Sequence, residues 1–355
     1  MKFFCLCMSP AIDATVRLLS APKGEGEIFK DVVEEENVGG KAVNVARWLA
    51  IRGAEVACGG LLGEDNDRPF AKELAKYAIE DRFVRVPGAT RRNEMIVWPG
   101  GSVKLNRAAF PGMGNGERGT YPPSEASRRR RCPSRGGNGL FENVMSRLTK
   151  DCLPSRQSNP SRESNLHDAV AILSGSLPPV VPKDFYASAV ARLKSLGFTV
   201  VLDASGAALV EGVKANPDVI KPNAEECEPL VGFVPKTPGE FAKATDILRE
   251  KVAHVIISDG GAGAWFDGEF VAAPKVDVVD TTAAGDTLLA EWCWRVFGEA
   301  DLSRVEHVER VDGEGAGVLS RDAAGWAVAA GSAARTMPGG APPPASLVDG
   351  LFNRE

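Results

Sequence analysis

The residues Asp280-Thr281-Thr282-Ala283-Ala284-Gly285-Asp286-Thr287 lead into an apolar, helix-competent run. Small residues at a helix N-terminus let successive backbone N–H groups approach an anion, and the helix dipole favours negative charge there. The amides of Ala283, Ala284 and Gly285 are therefore a candidate anion hole. Asp286, in the first helical turn, could accept a proton from a hydroxyl attacking a phosphoryl group gathered by those amides. In isolation, Gly-Asp-Thr reads first as a helix cap, so the chemical reading needs company.

Three other segments supply it. Gly39-Gly40-Lys41-Ala42-Val43-Asn44 precedes a second helix; paired glycines allow close backbone approach, and Lys41 and Asn44 can grip a polar ligand. Lys221-Pro222-Asn223-Ala224-Glu225-Glu226 follows a strand and spaces an amide and a carboxylate as N-x-x-E. That spacing suits a helix start and also suits hydrated Mg²⁺ held through water by Asn223 and Glu226. Ser258-Asp259-Gly260-Gly261-Ala262-Gly263 follows an apolar strand and reads as a hairpin turn or a nucleotide-lining loop.

These segments must be positioned by a scaffold, and the coarse pattern supplies one. Short β-rich runs at 2–7, 54–59, 169–173, 198–203, 218–220 and 254–258 alternate with helical periodicity at 44–52, 70–79, 184–196, 239–251, 285–296 and 322–335. Alternation of this kind predicts a parallel sheet with crossover helices. Residues 12–38 and 89–107 break the rhythm with short alternating segments that read as a small antiparallel sheet. In residues 113–165 only 11 of 53 residues are apolar, too few for a core, so this is a low-complexity insertion interrupted by one short helix at 140–148.

A formal charge of −5 gives no global basic surface for nucleic acid or anionic membrane. Arg128-Arg129-Arg130-Arg131 is a local exception without interleaved aromatics, and reads as a solvated loop. No secretory signal or bilayer-length apolar run is evident, which predicts a cytoplasmic protein. Seven scattered cysteines read as free thiols, and three histidines far apart in sequence offer little to zinc.

In order, the segments resemble the PfkB (ribokinase-like) family of carbohydrate kinases, with its two signatures near 39–63 and 279–290. The resemblance also takes in Ser9-Pro10-Ala11-Ile12-Asp13, Thr90-Arg91-Arg92-Asn93, Leu173-Ser174-Gly175-Ser176-Leu177-Pro178-Pro179 and Leu202-Asp203-Ala204-Ser205-Gly206. Thr90-Arg91-x-Asn93 with the Ser-Gly-Ser-Leu-Pro run looks most like the hexose-phosphate branch, the 1-phosphofructokinases and tagatose-6-phosphate kinases. The resemblance implies an α/β, Rossmann-like ribokinase fold over 1–355 with a β-lid from 12–38 and 89–107. It implies ATP- and Mg²⁺-dependent phosphorylation of a ketohexose phosphate with Asp286 as general base. Asp13, Gly39, Gly40, Lys41, Asn44 and Asn93 would contact the sugar, Lys41 and Arg91 its phosphate. Lys221, Ser258, Gly260 and Gly263 would line the ATP site, Asn223 and Glu226 would organise Mg²⁺, and lid edges would pair in a homodimer.

Four positions depart from the family pattern: Ser9 for Asn, Ala42 for Gly, Ala283 for Gly and Glu291 for Gly. A Cβ at Ala283 costs about 1 kcal/mol if the backbone there is left-handed, which predicts slowed rather than abolished turnover. The departures also motivate a competing expectation, a silent relative that binds sugar phosphate or nucleotide as a sensor. A dinucleotide-dependent dehydrogenase would need G-x-G-x-x-G directly after the first strand, and none occurs there.

Overall fold

The computed structural model describes residues 1–24, 26–30, 32–107, 137–150, 169–298 and 317–353. From the N-terminus run β1 (Lys2–Cys7), β2 (Ala11–Arg17), β3 (Val33–Gly39), α1 (Lys41–Ile51), β4 (Glu55–Gly63), α2 (Arg68–Lys76), β5 (Glu80–Val86), β6 (Arg92–Trp98) and β7 (Gly101–Leu105). Next come α3 (Gly137–Leu148), β8 (Ala169–Ser174), α4 (Phe185–Ser195), β9 (Thr199–Asp203), α5 (Gly206–Val213), β10 (Val219–Ile220), α6 (Ala224–Val231) and α7 (Pro238–Arg249). The chain continues through β11 (His254–Asp259), β12 (Gly263–Phe266), β13 (Glu269–Ala272), α8 (Ala284–Cys293), α9 (Gly317–Ala334) and α10 (Ala345–Phe352).

Among the described residues, nine strands form one sheet in the order β13-β12-β11-β10-β9-β8-β1-β4-β5. It is parallel from β5 to β11, and the β11–β12–β13 hairpins add an antiparallel edge. Period-two alternation explains why both faces are covered. In β1, Phe3, Cys5 and Cys7 point into one core with α1, α8 and α9, whereas Phe4 and Leu6 point into a second with α3, α4 and α5. Gly197, at φ +85°, closes α4 in the left-handed conformation that glycine adopts most readily.

Strands β3-β2-β6-β7 make the smaller sheet. Its expected antiparallel pairing holds for β2–β3 and β6–β7 but not for β2–β6, which is parallel. The cause is topological: β2 leaves parallel strand β1 and β6 leaves parallel strand β5, so both enter the small sheet running the same way. Thr90 pins the second entry, its Oγ1 accepting from the Gly63 amide (2.9 Å) while its own N–H and C=O bond the Asn66 side chain (2.7 and 2.9 Å).

Within 113–165 the expected short helix is α3, whose Val144, Met145 and Leu148 are buried. Residues 113–136 and 151–165, with the arginine run, Cys132 and Cys152, lie outside the described residues. Cys5, Cys7, Cys58, Cys227 and Cys293 are buried free thiols. Burial pushes Cys7 up to about 11 and Cys227 up to about 12, so neither is a thiolate at neutral pH. Among the described residues no helix is long and apolar enough to cross a membrane.

Candidate active site

The site gathers where the carboxyl ends of the central parallel strands meet the N-termini of α1 and α8, the usual ligand edge of such a sheet. Asp286 lies in the first turn of α8 and is 6% exposed. Its Oδ2 accepts from Asn44 Nδ2 on α1 (2.8 Å). Burial raises its pKa above the ordinary carboxylate range; the nearby Lys41 ammonium opposes that rise and Asp203 adds to it. A carboxyl so placed is a stronger base than an exposed aspartate.

Asp203, the last residue of β9, is fully buried, and its Oδ1 receives both Lys41 Nζ (3.1 Å) and Lys221 Nζ (3.2 Å) while Ser174 Oγ donates to Oδ2 (3.0 Å). Burial alone would raise its pKa, but the two ammonium groups outweigh that and hold it below the usual range. The Lys41 pKa is raised in turn, chiefly by Asp203. Lys221 Nζ lies 3.3 Å from where a Gly285 Cβ would stand, so two cations border the first turn of α8. That turn starts at Ala283, with Thr287 N–H bonded to its carbonyl; the Ala284 N–H donates to the Thr281 carbonyl (3.4 Å), and the amides of Gly285 and Asp286 have no intrahelical acceptor.

On the small-sheet side, Asn93 Nδ2 donates to Asp13 Oδ1 across the β2–β6 pair (2.7 Å). Gly39 must lack a side chain, because a Cβ there would land on the Asp13 carboxylate, and Gly40 follows at φ +114° to turn the chain into α1. A small cavity beside this pair is lined by Asp13, Asn93, Lys104, Asp280 and Thr282. Arg91 spends its guanidinium on the carbonyls of Ser9 (3.1 Å) and Pro10 (3.3 Å), tying the β1–β2 turn to the start of β6.

On the other side of the α8 N-terminus opens a cleft of about 440 Å³. Ser258, Gly260 and Gly263 line it, as do Asn223, Ala284 and Gly285. The Gly-rich turn is a β11–β12 hairpin, as one of its sequence readings expects, and it also forms a wall of the cleft. Asn223 and Glu226 likewise form a helix start, a reciprocal capping box in which Asn223 Oδ1 accepts from Glu226 N (2.8 Å) and Glu226 Oε2 from Asn223 N (3.0 Å).

A profile of the pfkB family of carbohydrate kinases matches residues 148–290. The 1-phosphofructokinase of Vibrio cholerae is 31% identical over 299 residues, covering 82% of each chain. The chain belongs to the PfkB family of carbohydrate kinases. Those of Haemophilus influenzae and Escherichia coli are 32% and 30% identical, over 75% and 80% of each chain. Among solved structures, Escherichia coli phosphofructokinase-2 in complex with substrates and products superposes with a TM-score of 0.73 at 20% identity, covering 100% of this chain and 98% of that one. A possible 1-phosphofructokinase from Thermotoga maritima does so at 0.67 and 17%, covering 99% and 98%. These likenesses show the ribokinase-like fold.

Against the family pattern, Glu291 is compensated rather than disruptive. It is fully buried between α1 and α8, where Trp48 (2.7 Å), Arg52 (2.8 and 3.0 Å) and Arg295 (3.0 Å) donate to its two oxygens. Ser9 is used through its carbonyl, and Ala42 packs in the core. Ala283 does adopt the left-handed conformation, φ +65° and ψ 1°. Ala283→Gly should therefore stabilise the protein, offset in part by the extra freedom glycine has when unfolded, for a net gain of about 0.5–1 kcal/mol. Urea unfolding at neutral pH measures it, and a loss of stability would mean that the Ala283 methyl packs usefully against Gly340 and Thr282.

Sequence reasoning gave no role to Asp203, although its signal was present: a charged residue ending an apolar strand, at the edge where parallel sheets bind ligands. It also passed over Arg335, Gly331 and Ser332, which α9 and the turn after it bring to the cleft from far along the chain.

Proposed function

We propose that this chain transfers the γ-phosphoryl group of ATP to a hydroxyl of a ketohexose phosphate, giving the bisphosphate. The acceptor is fructose 1-phosphate, tagatose 6-phosphate or fructose 6-phosphate, and the curated relatives' activity favours the first. The observation that carries the reading is Asp286, buried beside two lysines at the N-terminus of a helix that separates a nucleotide-sized cleft from the polar Asp13–Asn93 pair.

In this reading the cleft takes ATP, with Ser258, Gly260 and Gly263 along the nucleotide. Asp13, Gly39, Gly40 and Asn93 hold the sugar, and Arg91 and Lys41 border its phosphate. Asp286 takes the proton of the attacking hydroxyl as the new O–P bond forms and the bond to the β-phosphate oxygen breaks. The amides from Ala283 to Gly285, with Lys41 and Lys221, stabilise charge on the transferring group, because phosphoryl transfer asks chiefly for positioning and electrostatics. Asn223 and Glu226 offer hard oxygen donors that suit Mg²⁺ through water: the capping box engages one of the two Glu226 carboxylate oxygens and one lone pair of the single Asn223 amide oxygen. A bound Mg²⁺ would supply further charge neutralisation on the phosphates. The small sheet acts as a lid that keeps water from the acceptor position.

The same reading includes a homodimer joined at the lid, supported by exposed Val33, Val103 and Leu105 on its outer strands β3 and β7. Coupled ADP-release assays with the three sugar phosphates test the function. Turnover of at least one is expected; tight binding without turnover of any would favour the sensor.

A further inference from the structure

We propose that Arg47 is a positioning residue for the base: its guanidinium fixes which way the Asn44 amide points, and Asn44 in turn holds Asp286. Arg47 lies one turn after Asn44 on α1 and is 3% exposed. One nitrogen, Nη2, donates to Asn44 Oδ1 (2.6 Å) and to the Gly340 carbonyl (3.1 Å); the other, Nη1, donates to Glu73 Oε1 on α2 (3.0 Å). Since Arg47 offers only donors, the amide oxygen must face it, and the amide N–H must then face Asp286 Oδ2. The flipped amide would set N–H against guanidinium and oxygen against carboxylate, repulsive at both ends.

The same fork reaches the anion-hole turn. A Cβ on Gly340 would stand 3.0 Å from Thr282 and 3.7 Å from the Ala283 side chain, so the carbonyl that Arg47 holds belongs to a turn packed on Thr282–Ala283. Arg47 lines neither the cleft nor the small cavity at the lid, so it acts through its neighbours. Among the described residues, the charged groups that bear most on Asp286 are Lys41 from α1, Asp203 from β9 and Lys221 from the segment after β10. None of them depends on Arg47 for its position, which isolates the Asn44 route.

The kinetic arm of the test rests on the kinase reading; the titration arm does not. Arg47→Met should lower kcat about tenfold or more while KM for ATP changes less than about twofold. Losing a donor to the carboxylate raises its pKa, so the acid limb of kcat should move up by about half a pH unit or more. Arg47→Lys, which keeps the charge but loses the fork, should recover only part of either effect. In an Asn44→Ala background, Arg47→Met should add less than about threefold, because the route it acts through is already gone. Carboxyl-¹³C NMR of Asp286, assigned with Asp286→Asn, reads the same pKa rise without turnover and decides the matter even if the unmodified enzyme phosphorylates none of the sugars. Should Arg47→Met fail to fold, as judged by its melting curve, Arg47→Lys carries both measurements. An unchanged Asp286 titration, or a full Arg47→Met effect persisting beside Asn44→Ala, would overturn the proposal.

Discussion

Asp286→Ala should lower kcat by about 10³-fold and leave the affinity for ATP within about threefold of the unmodified protein. In the proposed reaction the carboxylate takes the acceptor's proton, whereas the cleft proposed for the nucleotide is walled by other residues, among them Ser258, Gly260 and Gly285. Turnover by coupled assay and ATP binding by calorimetry separate the two, and more than a tenth of the activity remaining would reject Asp286 as base. Because burial holds its pKa above the ordinary range, the acid limb of kcat should lie above the usual aspartate value of about 4. The stability linkage has a definite sign. A carboxyl whose folded pKa is raised stabilises the fold while protonated and loses that contribution as pH rises through the folded value, so ionised Asp286 is a burden at neutral pH. Asp286→Asn should then melt higher than the unmodified protein while turning over far more slowly, an exchange of stability for function.

Asp203→Ala should cost about 3–5 kcal/mol of stability at neutral pH and abolish turnover as well. It strips the shared partner from two ammonium groups. Most of the cost falls on Lys221, whose side chain is 5% exposed; Lys41, at 37%, is partly screened by water. Urea unfolding checks the magnitude, and a loss below about 1 kcal/mol would mean that the lysines find other partners. Here the pH dependence runs opposite to that of Asp286. Asp203 has a lowered folded pKa, so its stabilisation is present above the unfolded value of about 4 and is lost as pH falls through the folded one. Acid should therefore withdraw the Asp203 contribution only below a pH of about 4.

What could be read from the sequence was whatever local spacing encodes. The α8 entry, the Gly39–Gly40 turn and the Asn223–Glu226 cap are runs of a few residues whose geometry follows from their own φ/ψ limits and short side chains. The parallel pairing of the large sheet was legible from β/α alternation; its strand order was not. Nor were particular non-local pairings. The parallel β2–β6 pair depends on the directions of β1 and β5, and the Lys41–Asp203–Lys221 cluster joins three elements that only tertiary structure brings together. Arg47 sits in a helix where its neighbours Val43, Val45, Ala46 and Trp48 all read as core, and nothing in that pattern announces that an arginine is buried with them. Arg91, picked out in the sequence for its charge, also ties Ser9 and Pro10 through their carbonyls, a role its spacing does not announce.

The place of β1 in the sheet bears on how the chain must be made. Its two neighbours are β4, residues 55–63, and β8, residues 169–174. During synthesis one flank of the first strand is satisfied early, whereas the other stays open until the ribosome has passed residue 174. Throughout that interval Phe4 and Leu6 lack the α4 and α5 partners that cover them in the finished protein. Nascent chains halted between β4 and β8 thus carry an uncovered apolar edge, the kind of surface on which misassembly begins and to which chaperones bind.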